Sequence, residues 1–141
     1  MSKKTKFKKI LIMGLPGAGK TYLAKEIYRE LNAVWINGDS IRKKYKDWDF
    51  TKTGRIRQAK RLNKISNEYI QKRKNVVVDF ICPNKDSFKN FKADFIVWVD
   101  TIKKGRFDDT NAMFVKPEKF DCHVTSQNAK HWAPIIFKDL K

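Results

Sequence analysis

The stretch Gly14-Leu15-Pro16-Gly17-Ala18-Gly19-Lys20-Thr21 decides the fold, because it fits the phosphate-binding pattern Gly-x-x-x-x-Gly-Lys-Ser/Thr without a mismatch. It follows the apolar run 10–13, which is typical of a buried parallel strand. It precedes residues 22–31, whose apolar side chains repeat with helical spacing. A strand, a glycine-rich turn and a helix in this order point backbone N–H groups and the positive end of the helix at a bound phosphate.

This loop predicts ATP and Mg²⁺ as cofactors. Lys20 is expected to reach the β- and γ-phosphates, and the Thr21 hydroxyl is expected to take a position at Mg²⁺. The predicted nucleotide-binding residues form one run: Gly14, Leu15, Pro16, Gly17, Ala18, Gly19, Lys20, Thr21 and Tyr22.

Length and charge limit the class of protein. With 141 residues the chain fits a single domain, residues 1–141, and leaves little room for a full lid over the phosphates. Lys and Arg number 32 against 15 Asp and Glu, so the net charge of +17 attracts polyanions: nucleotides, sulfated or phosphorylated metabolites, or nucleic acid. Hydrophobic residues make up 41%, which excludes a disordered basic tail.

Cysteine usage and the N-terminal segment predict a cytoplasmic protein. Cys82 and Cys122 lie far apart without Cys-x-x-Cys spacing, as expected for two ordinary thiols in a reducing compartment. The basic residues 1–9 lead into an apolar run that is much shorter than a signal peptide or a membrane span. No contact with a membrane is therefore expected.

Two acidic residues follow predicted strands. Asp39 comes after the apolar run 33–36 and has Arg42 three residues later, in the place where open α/β sheets bind ligands. Asp39 could orient an attacking hydroxyl or hold Mg²⁺, although an N-cap role remains open. Asp79 ends the Val-rich strand 75–80, where a carboxylate commonly holds Mg²⁺ through water, although it could also cap the next turn. The catalytic set is Lys20, Asp39 and Arg42, and the metal set is Thr21, Asp39 and Asp79.

The remaining patterns predict an α/β fold of the P-loop NTPase and kinase type, with a parallel sheet flanked by helices on both faces. A long helix is expected over 55–73 and further strands over 94–100 and 120–125. Ser126 is expected to cap a short helix that ends before Trp132. The polar segment 101–114 predicts a shortened lid, with cations at Lys103, Lys104 and Arg106.

Taken together, the motifs resemble those of the adenylylsulfate kinases, P-loop kinases that phosphorylate the 3′-hydroxyl of adenosine 5′-phosphosulfate with Mg·ATP. The resemblance covers roughly the first ninety residues. It rests on the phosphate loop, on 37–42 (Asn-Gly-Asp-Ser-Ile-Arg) against the family's Asp-Gly-Asp-x-x-Arg, on Phe50-Thr51 with Arg55, and on 76–83 against a Val-rich strand that ends in Ile-Ser-Pro.

The resemblance implies roles for single residues. Asp39 would be the catalytic or metal-linked carboxylate, Arg42 and Arg55 would hold the phosphosulfate, and Phe50 would stack on the substrate adenine. Further residues implied at the substrate are Gln58, which stands where the family has Asn, with Ile81, Cys82 and Pro83, and either Phe107 or Phe114 from the lid.

Besides Gln58, three positions depart from the family pattern. Asn37 replaces the first Asp of the triplet, and Gly54 replaces the Asp before the Arg. Asp79 stands where the family commonly has a small polar or apolar residue. These departures bear on the identity of the substrate more than on phosphoryl transfer.

Two other functions remain open. A polynucleotide 5′-hydroxyl kinase also has a phosphate loop followed by a strand-end Asp and an Arg, and the charge of +17 would suit its substrate. A nucleotide- or RNA-binding module without catalysis is the second alternative, which the intact Lys20, Thr21, Asp39 and Asp79 disfavour. The expected partner is an anionic nucleotide, with adenosine 5′-phosphosulfate favoured and nucleic acid second, and a homodimer is left open.

Overall fold

The structure is a computed structural model that describes residues 7–15, 17–82, 84–102 and 116–140. These ranges contain both strands and helices, as the sequence predicts. The strands are β1 (Lys9–Met13), β2 (Val34–Asn37), β3 (Val76–Asp79), β4 (Phe95–Val99) and β5 (Cys122–Val124). The helices are α1 (Lys20–Glu30), α2 (Gly38–Tyr45), α3 (Lys52–Gln71), α4 (Lys85–Asn90) and α5 (Ala129–Leu140).

The five strands form one sheet in the order β2-β3-β1-β4-β5, and every neighbouring pair is parallel. In the central strand, Ile10 lies opposite Val77 of β3 and Phe95 of β4. Parallel strands need helical crossovers, which cover the sheet. The predicted α/β fold with a parallel sheet flanked by helices is confirmed.

The core has two halves, one on each face of the sheet. Ile10 and Ile12 belong to the half beneath α1 and α5, whereas Leu11 and Met13 belong to the half beneath α3 and α4. Side chains of a strand alternate between its two faces, so burial on both faces explains why residues 10–13 are all apolar.

Two helix boundaries differ from the expectation. α3 begins at Lys52 because the Thr51 hydroxyl accepts a hydrogen bond from the Gly54 N–H at 3.2 Å and so caps the helix. The expectation that the last helix ends before Trp132 is wrong, since α5 continues to Leu140 with Pro134 inside it. Ala133 and Ile136 are buried in the core, and this burial outweighs the backbone hydrogen bond that proline cannot make.

The parallel sheet brings the carboxyl ends of all five strands to one edge, where the phosphate loop follows β1. Among the described residues, no helix is both long and apolar enough to cross a membrane.

Candidate functional site

The phosphate loop runs from the end of β1 to the start of α1. Gly17 and Gly19 have φ of 90° and 102°, a backbone conformation that other residues rarely adopt. The Ala18 N–H donates to the Leu15 carbonyl at 3.1 Å, and the Lys20 Nζ reaches back to the same carbonyl at 2.9 Å. The loop therefore curls over the N-terminus of α1, which favours negative charge.

The loop is braced by polar residues that follow β4 and β5. The Thr101 hydroxyl donates to the Ala18 carbonyl at 2.7 Å, and the Gln127 Nε2 donates to the Gly17 carbonyl at 3.1 Å. Sequence reasoning missed this brace. The available signal was that both residues follow strands whose carboxyl ends share the ligand-binding edge of the sheet.

Asp39 lies in the first turn of α2 and does not cap it. The cap is Asn37, whose Oδ1 accepts from the Ser40 N–H at 2.9 Å. The N-cap alternative for Asp39 is therefore wrong. Its carboxylate is exposed and lines the same cavity as the phosphate loop.

Asp79 ends β3 and is only 3% exposed. Its two oxygens accept hydrogen bonds from the Trp35 Nε1 at 2.5 Å and from the Asn37 Nδ2 at 2.9 Å. Burial raises the pKa of the Asp79 carboxyl above its usual range, while the bond from Trp35 and the charge of Lys20 oppose that rise.

Two of the departures from the family pattern thus form one contact. The Asn37 amide accepts at the start of α2 with its oxygen and donates to Asp79 with its nitrogen. An aspartate at position 37 could do only the first and would place a second negative charge beside Asp79. Asn37 is therefore compatible with an aspartate at position 79, because it donates a hydrogen bond to that carboxylate and adds no charge.

Arg42 and Arg55, predicted to hold the substrate anion, are buried and support the loop 46–51. The Arg42 Nη1 donates to the carbonyls of Asp47 and Asp49 at 2.9 and 3.1 Å, and the Arg55 Nε donates to the Phe50 carbonyl at 2.8 Å. The Arg42 guanidinium also lies 4.5 Å from the centroid of the Phe50 ring. Both cations line the cavity while fixing the position of Phe50.

Gln58, which was expected at the substrate, is 3% exposed and makes contacts within the protein. Its Nε2 donates to the Gly38 carbonyl at 2.9 Å, beside Asp39, and its Oε1 accepts from the Arg61 Nη1 at 2.9 Å. Arg61 in turn pairs with Asp47 at 2.8 Å. Gln58 therefore connects the start of α2 to the loop 46–51.

The two carboxylates of this loop are held in the charged form. The hydrogen bond from Arg61 is the main cause of the lowered pKa of Asp47, and the charge of Arg57 lowers it further. Hydrogen bonds from the Thr51 hydroxyl and N–H, followed by Arg57, lower the pKa of Asp49 to about 2. No local sequence pattern indicates these ion pairs.

A central cavity of about 750 Å³ collects most of the predicted site. Its walls include Gly17, Ala18, Gly19, Lys20, Thr21 and Tyr22 from the phosphate side, and Asp39, Arg42, Phe50, Arg55, Gln58, Asp79, Ile81 and Cys82 from the other side. Gly14 and Leu15 belong to the loop but do not line the cavity. Pro16, Pro83, Lys103, Lys104, Arg106 and Phe107, as well as Phe114, lie outside the described residues.

The sequence matches a known family over most of this region. A model of the AAA domain family matches residues 10–92, which is more than half of the chain. The chain belongs to the AAA domain family. The matched range contains the phosphate loop, Asp39, the loop 46–51 and Asp79. No curated protein matches the sequence of this AAA domain.

Several solved structures with the same fold are P-loop kinases of different kinds. The APS kinase CysC of Mycobacterium tuberculosis, in complex with AMPPNP and APS, superposes with a TM-score of 0.80 at 19% identity, covering 97% of this chain and 99% of that one. A gluconokinase from Sinorhizobium meliloti 1021 gives 0.71 at 15% identity, covering 98% and 93%. The shikimate kinase of Acinetobacter baumannii, in complex with shikimate, gives 0.63 at 16% identity, covering 96% and 94%. These likenesses establish the P-loop kinase fold.

The cavity also contains aromatic residues that sequence reasoning did not assign. Trp48 is 54% exposed and lies 6.4 Å from Phe50 between ring centroids, and Trp132 of α5 lines the wall near Gln127. Trp48 could have been assigned from the sequence, since a tryptophan in a polar loop next to Phe50 is not expected to pack in the hydrophobic core. No sequence pattern indicates that Trp132 lines the cavity, because its position depends on how α5 packs.

Proposed function

We propose that this AAA domain is an ATP-dependent kinase that transfers the γ-phosphoryl group to a hydroxyl of a small anionic nucleotide, with adenosine 5′-phosphosulfate as the favoured acceptor. The observation that carries the proposal is the central cavity, which the phosphate loop shares with Asp39. Phosphoryl transfer passes through a loose transition state, so an enzyme needs mainly to position the two substrates and neutralise charge.

Each residue then has a definite task. The N–H groups of the phosphate loop and Lys20 hold the β- and γ-phosphates of ATP, and Lys20 offsets the charge that spreads over the γ-oxygens. Asp39 accepts a hydrogen bond from the acceptor hydroxyl and orients it. Because Asn37 caps α2, the Asp39 carboxylate is available for this task.

The residues around the cavity fit Mg²⁺. Thr21, Asp39 and Asp79 offer oxygen atoms, which this hard cation prefers. Both Asp79 oxygens already accept N–H bonds, so we assign Asp79 to a contact through water. Mg²⁺ usually keeps several waters and binds substrate phosphates, and it supplies neutralisation of their charge.

The acceptor side favours an anionic nucleotide. Arg42 and Arg55 provide positive charge, while Phe50 and Trp48 provide ring faces for a base. The structural neighbour with APS bound supports this choice of acceptor. Gluconokinase and shikimate kinase share the fold, so their acceptors belong in the test.

The test is transfer of a radiolabelled γ-phosphate from Mg·ATP to adenosine 5′-phosphosulfate, to gluconate, to shikimate and to a short 5′-hydroxyl oligonucleotide. We expect label on the phosphosulfate, and we expect Asp39→Asn to lower turnover by at least ~100-fold with an unchanged thermal midpoint. Lys43→Gln, which changes an exposed residue of the same helix that does not line this cavity, is the matched control and should retain the rate.

Other patterns of label would reject parts of the proposal. Label on the oligonucleotide alone would replace the small acceptor by a polynucleotide end. ATP binding without transfer to any of the four acceptors would favour a binding module. A purified Asp39→Asn variant with a normal rate would remove Asp39 from the mechanism.

A further inference from the structure

A second cavity, of about 760 Å³, opens beside the central one along the edge strand β2. It lies among α1, α2 and α3, and we call it the β2 groove. Thr21, Asn37 and Asp39 line both cavities. A ligand in the β2 groove would therefore reach the candidate acceptor site without leaving the protein surface.

The groove carries an excess of positive charge from three different helices or their ends. Lys25 of α1, Lys44 of α2 and Lys72 after α3 line it, and all three are exposed. Within the described part of the chain none of the three forms an ion pair, while the acids of the groove are Asp39 and Glu68. Unpaired cations on separate elements that converge on one groove suit a ligand with several negative charges.

Exposed aromatic side chains line the groove and the adjoining central cavity, with Tyr45 in the groove itself. Six large hydrophobic side chains among the described residues are exposed, and four of them, Tyr22, Tyr45, Trp48 and Phe50, line one of the two adjoining cavities. Lysine ammonium groups lie over tyrosine rings here: Lys25 is 5.9 Å from the Tyr22 centroid and Lys72 is 5.6 Å from the Tyr69 centroid. Cations interleaved with aromatic rings are the arrangement that binds phosphates and stacks bases of a single strand.

We propose that the β2 groove binds single-stranded nucleic acid, with backbone phosphates at Lys25, Lys44 and Lys72 and a base stacked on Tyr45. Tyr45 is 49% exposed, and the Arg61 guanidinium lies 4.5 Å from the centroid of its ring. This binding goes beyond the proposed kinase activity, since it needs neither ATP nor transfer. Three of the lysines behind the net charge of +17 would then bind backbone phosphates at one place on the surface.

The test is fluorescence anisotropy with a 3′-labelled oligothymidylate of about 12 nucleotides, without ATP, between about 50 and 200 mM salt. The triple variant Lys25→Gln/Lys44→Gln/Lys72→Gln should bind at least about 10-fold more weakly. The slope of log K against log salt should become shallower by about 2, because each lost phosphate contact on a single strand accounts for about 0.7.

The matched control removes the same charge elsewhere. Lys92→Gln/Lys119→Gln/Lys138→Gln changes three exposed lysines that line neither cavity. It should keep most of the affinity. Equal losses in the two triple variants would overturn the proposal, because binding would then reflect only the net charge.

Stacking is tested separately from charge. Tyr45→Ala should weaken binding by about 5- to 100-fold, whereas Tyr45→Phe, which keeps the ring, should retain it. Binding of a duplex as tightly as of the single strand would overturn the proposal, since paired bases cannot stack on Tyr45. The groove triple variant should phosphorylate a small acceptor as fast as the wild type does. If the wild type phosphorylates no small acceptor, the proposed kinase activity is rejected, while nucleic-acid binding in the β2 groove is still decided by the anisotropy measurements.

Discussion

The phosphate loop and the loop 46–51 face the same cavity but are built differently. The phosphate loop bonds within itself, since Ala18 and Lys20 both donate to the carbonyl of Leu15. Thr101 and Gln127 brace it from later in the chain. The loop 46–51 is instead held by four arginines from two helices: Arg42, Arg55, Arg57 and Arg61.

This difference separates two kinds of sequence information. A local motif carries its own geometry, because its glycines set the backbone and the next helix supplies the field. A scaffolded loop takes its geometry from side chains elsewhere, so the same residue types can be read either as ligands or as supports. Arg42 and Arg55 can serve in both ways, because they line the cavity and also support Phe50.

The largest expected effect comes from breaking the phosphate loop at Lys20. Lys20→Ala should lower turnover by at least ~100-fold, since it removes a positioned charge from the γ-phosphate. The fold should persist, because β1 and α1 stay intact. Steady-state kinetics and a thermal midpoint measure the two effects, and Lys138→Ala, an exposed lysine in α5, is the control. A pure variant with near-normal turnover would show that Lys20 has no part in the transfer.

The next effect comes from crowding the loop 46–51. Gly54 is a buried helical residue, and a Cβ there would overlap the carbonyl oxygen and the side chain of Asp49. Ala normally stabilises a helix relative to Gly by about 1 kcal/mol, yet Gly54→Ala should lower the free energy of unfolding by about 1 to 3 kcal/mol, as overpacking does. The KM for the acceptor should rise while the KM for ATP stays unchanged.

Urea unfolding and kinetics of the same preparation check this prediction. Lys60→Ala, on the exposed side of the same helix, is the matched control for introducing alanine. It should change the free energy of unfolding by less than about 0.5 kcal/mol, since Lys and Ala have similar helix propensities. If Gly54→Ala proves as stable as the wild type, the approach of Asp49 does not explain the glycine at this position.

The fold could be predicted from the sequence because its signals are local. Residues 10–13 and 76–78 are apolar runs of the kind that parallel strands require, and the phosphate loop fixes the first crossover. Helix ends were predicted less well. The continuation of α5 through Pro134 depends on the burial of Ala133 and Ile136, which sequence spacing alone did not reveal.

The site could be predicted only as a set of cavity residues. Asn37 and Asp79 are 42 residues apart, and no local pattern shows that one donates to the other. Gln58 was expected at the substrate, but it bonds to the carbonyl of Gly38, 20 residues away, and to Arg61. Polar residues near a ligand edge serve either the ligand or the scaffold, and long-range hydrogen bonds decide which.

The smallest expected effect concerns the charge of Asp49. Its pKa of about 2 in the folded protein lies below the ordinary value of 3.8. A lowered pKa means that the carboxylate stabilises the fold above about pH 4 and that this contribution is lost as the pH falls toward 2. An NMR titration of the Asp49 carboxyl carbon should therefore give a midpoint near 2.

Two variants identify the cause of that shift. The Thr51 hydroxyl bond is the largest single cause and Arg57 acts through both a hydrogen bond and its charge, so Thr51→Val and Arg57→Gln should each move the midpoint toward 3.8. The wild type should also lose more stability between about pH 4 and pH 2 than Asp49→Asn, which has no carboxylate to protonate. A wild-type midpoint near 3.8 would mean that Thr51 and Arg57 do not hold this carboxylate in solution. The loop 46–51 would then depend on the ion pairs of Asp47 and on the bonds that Arg42 and Arg55 make to its carbonyls.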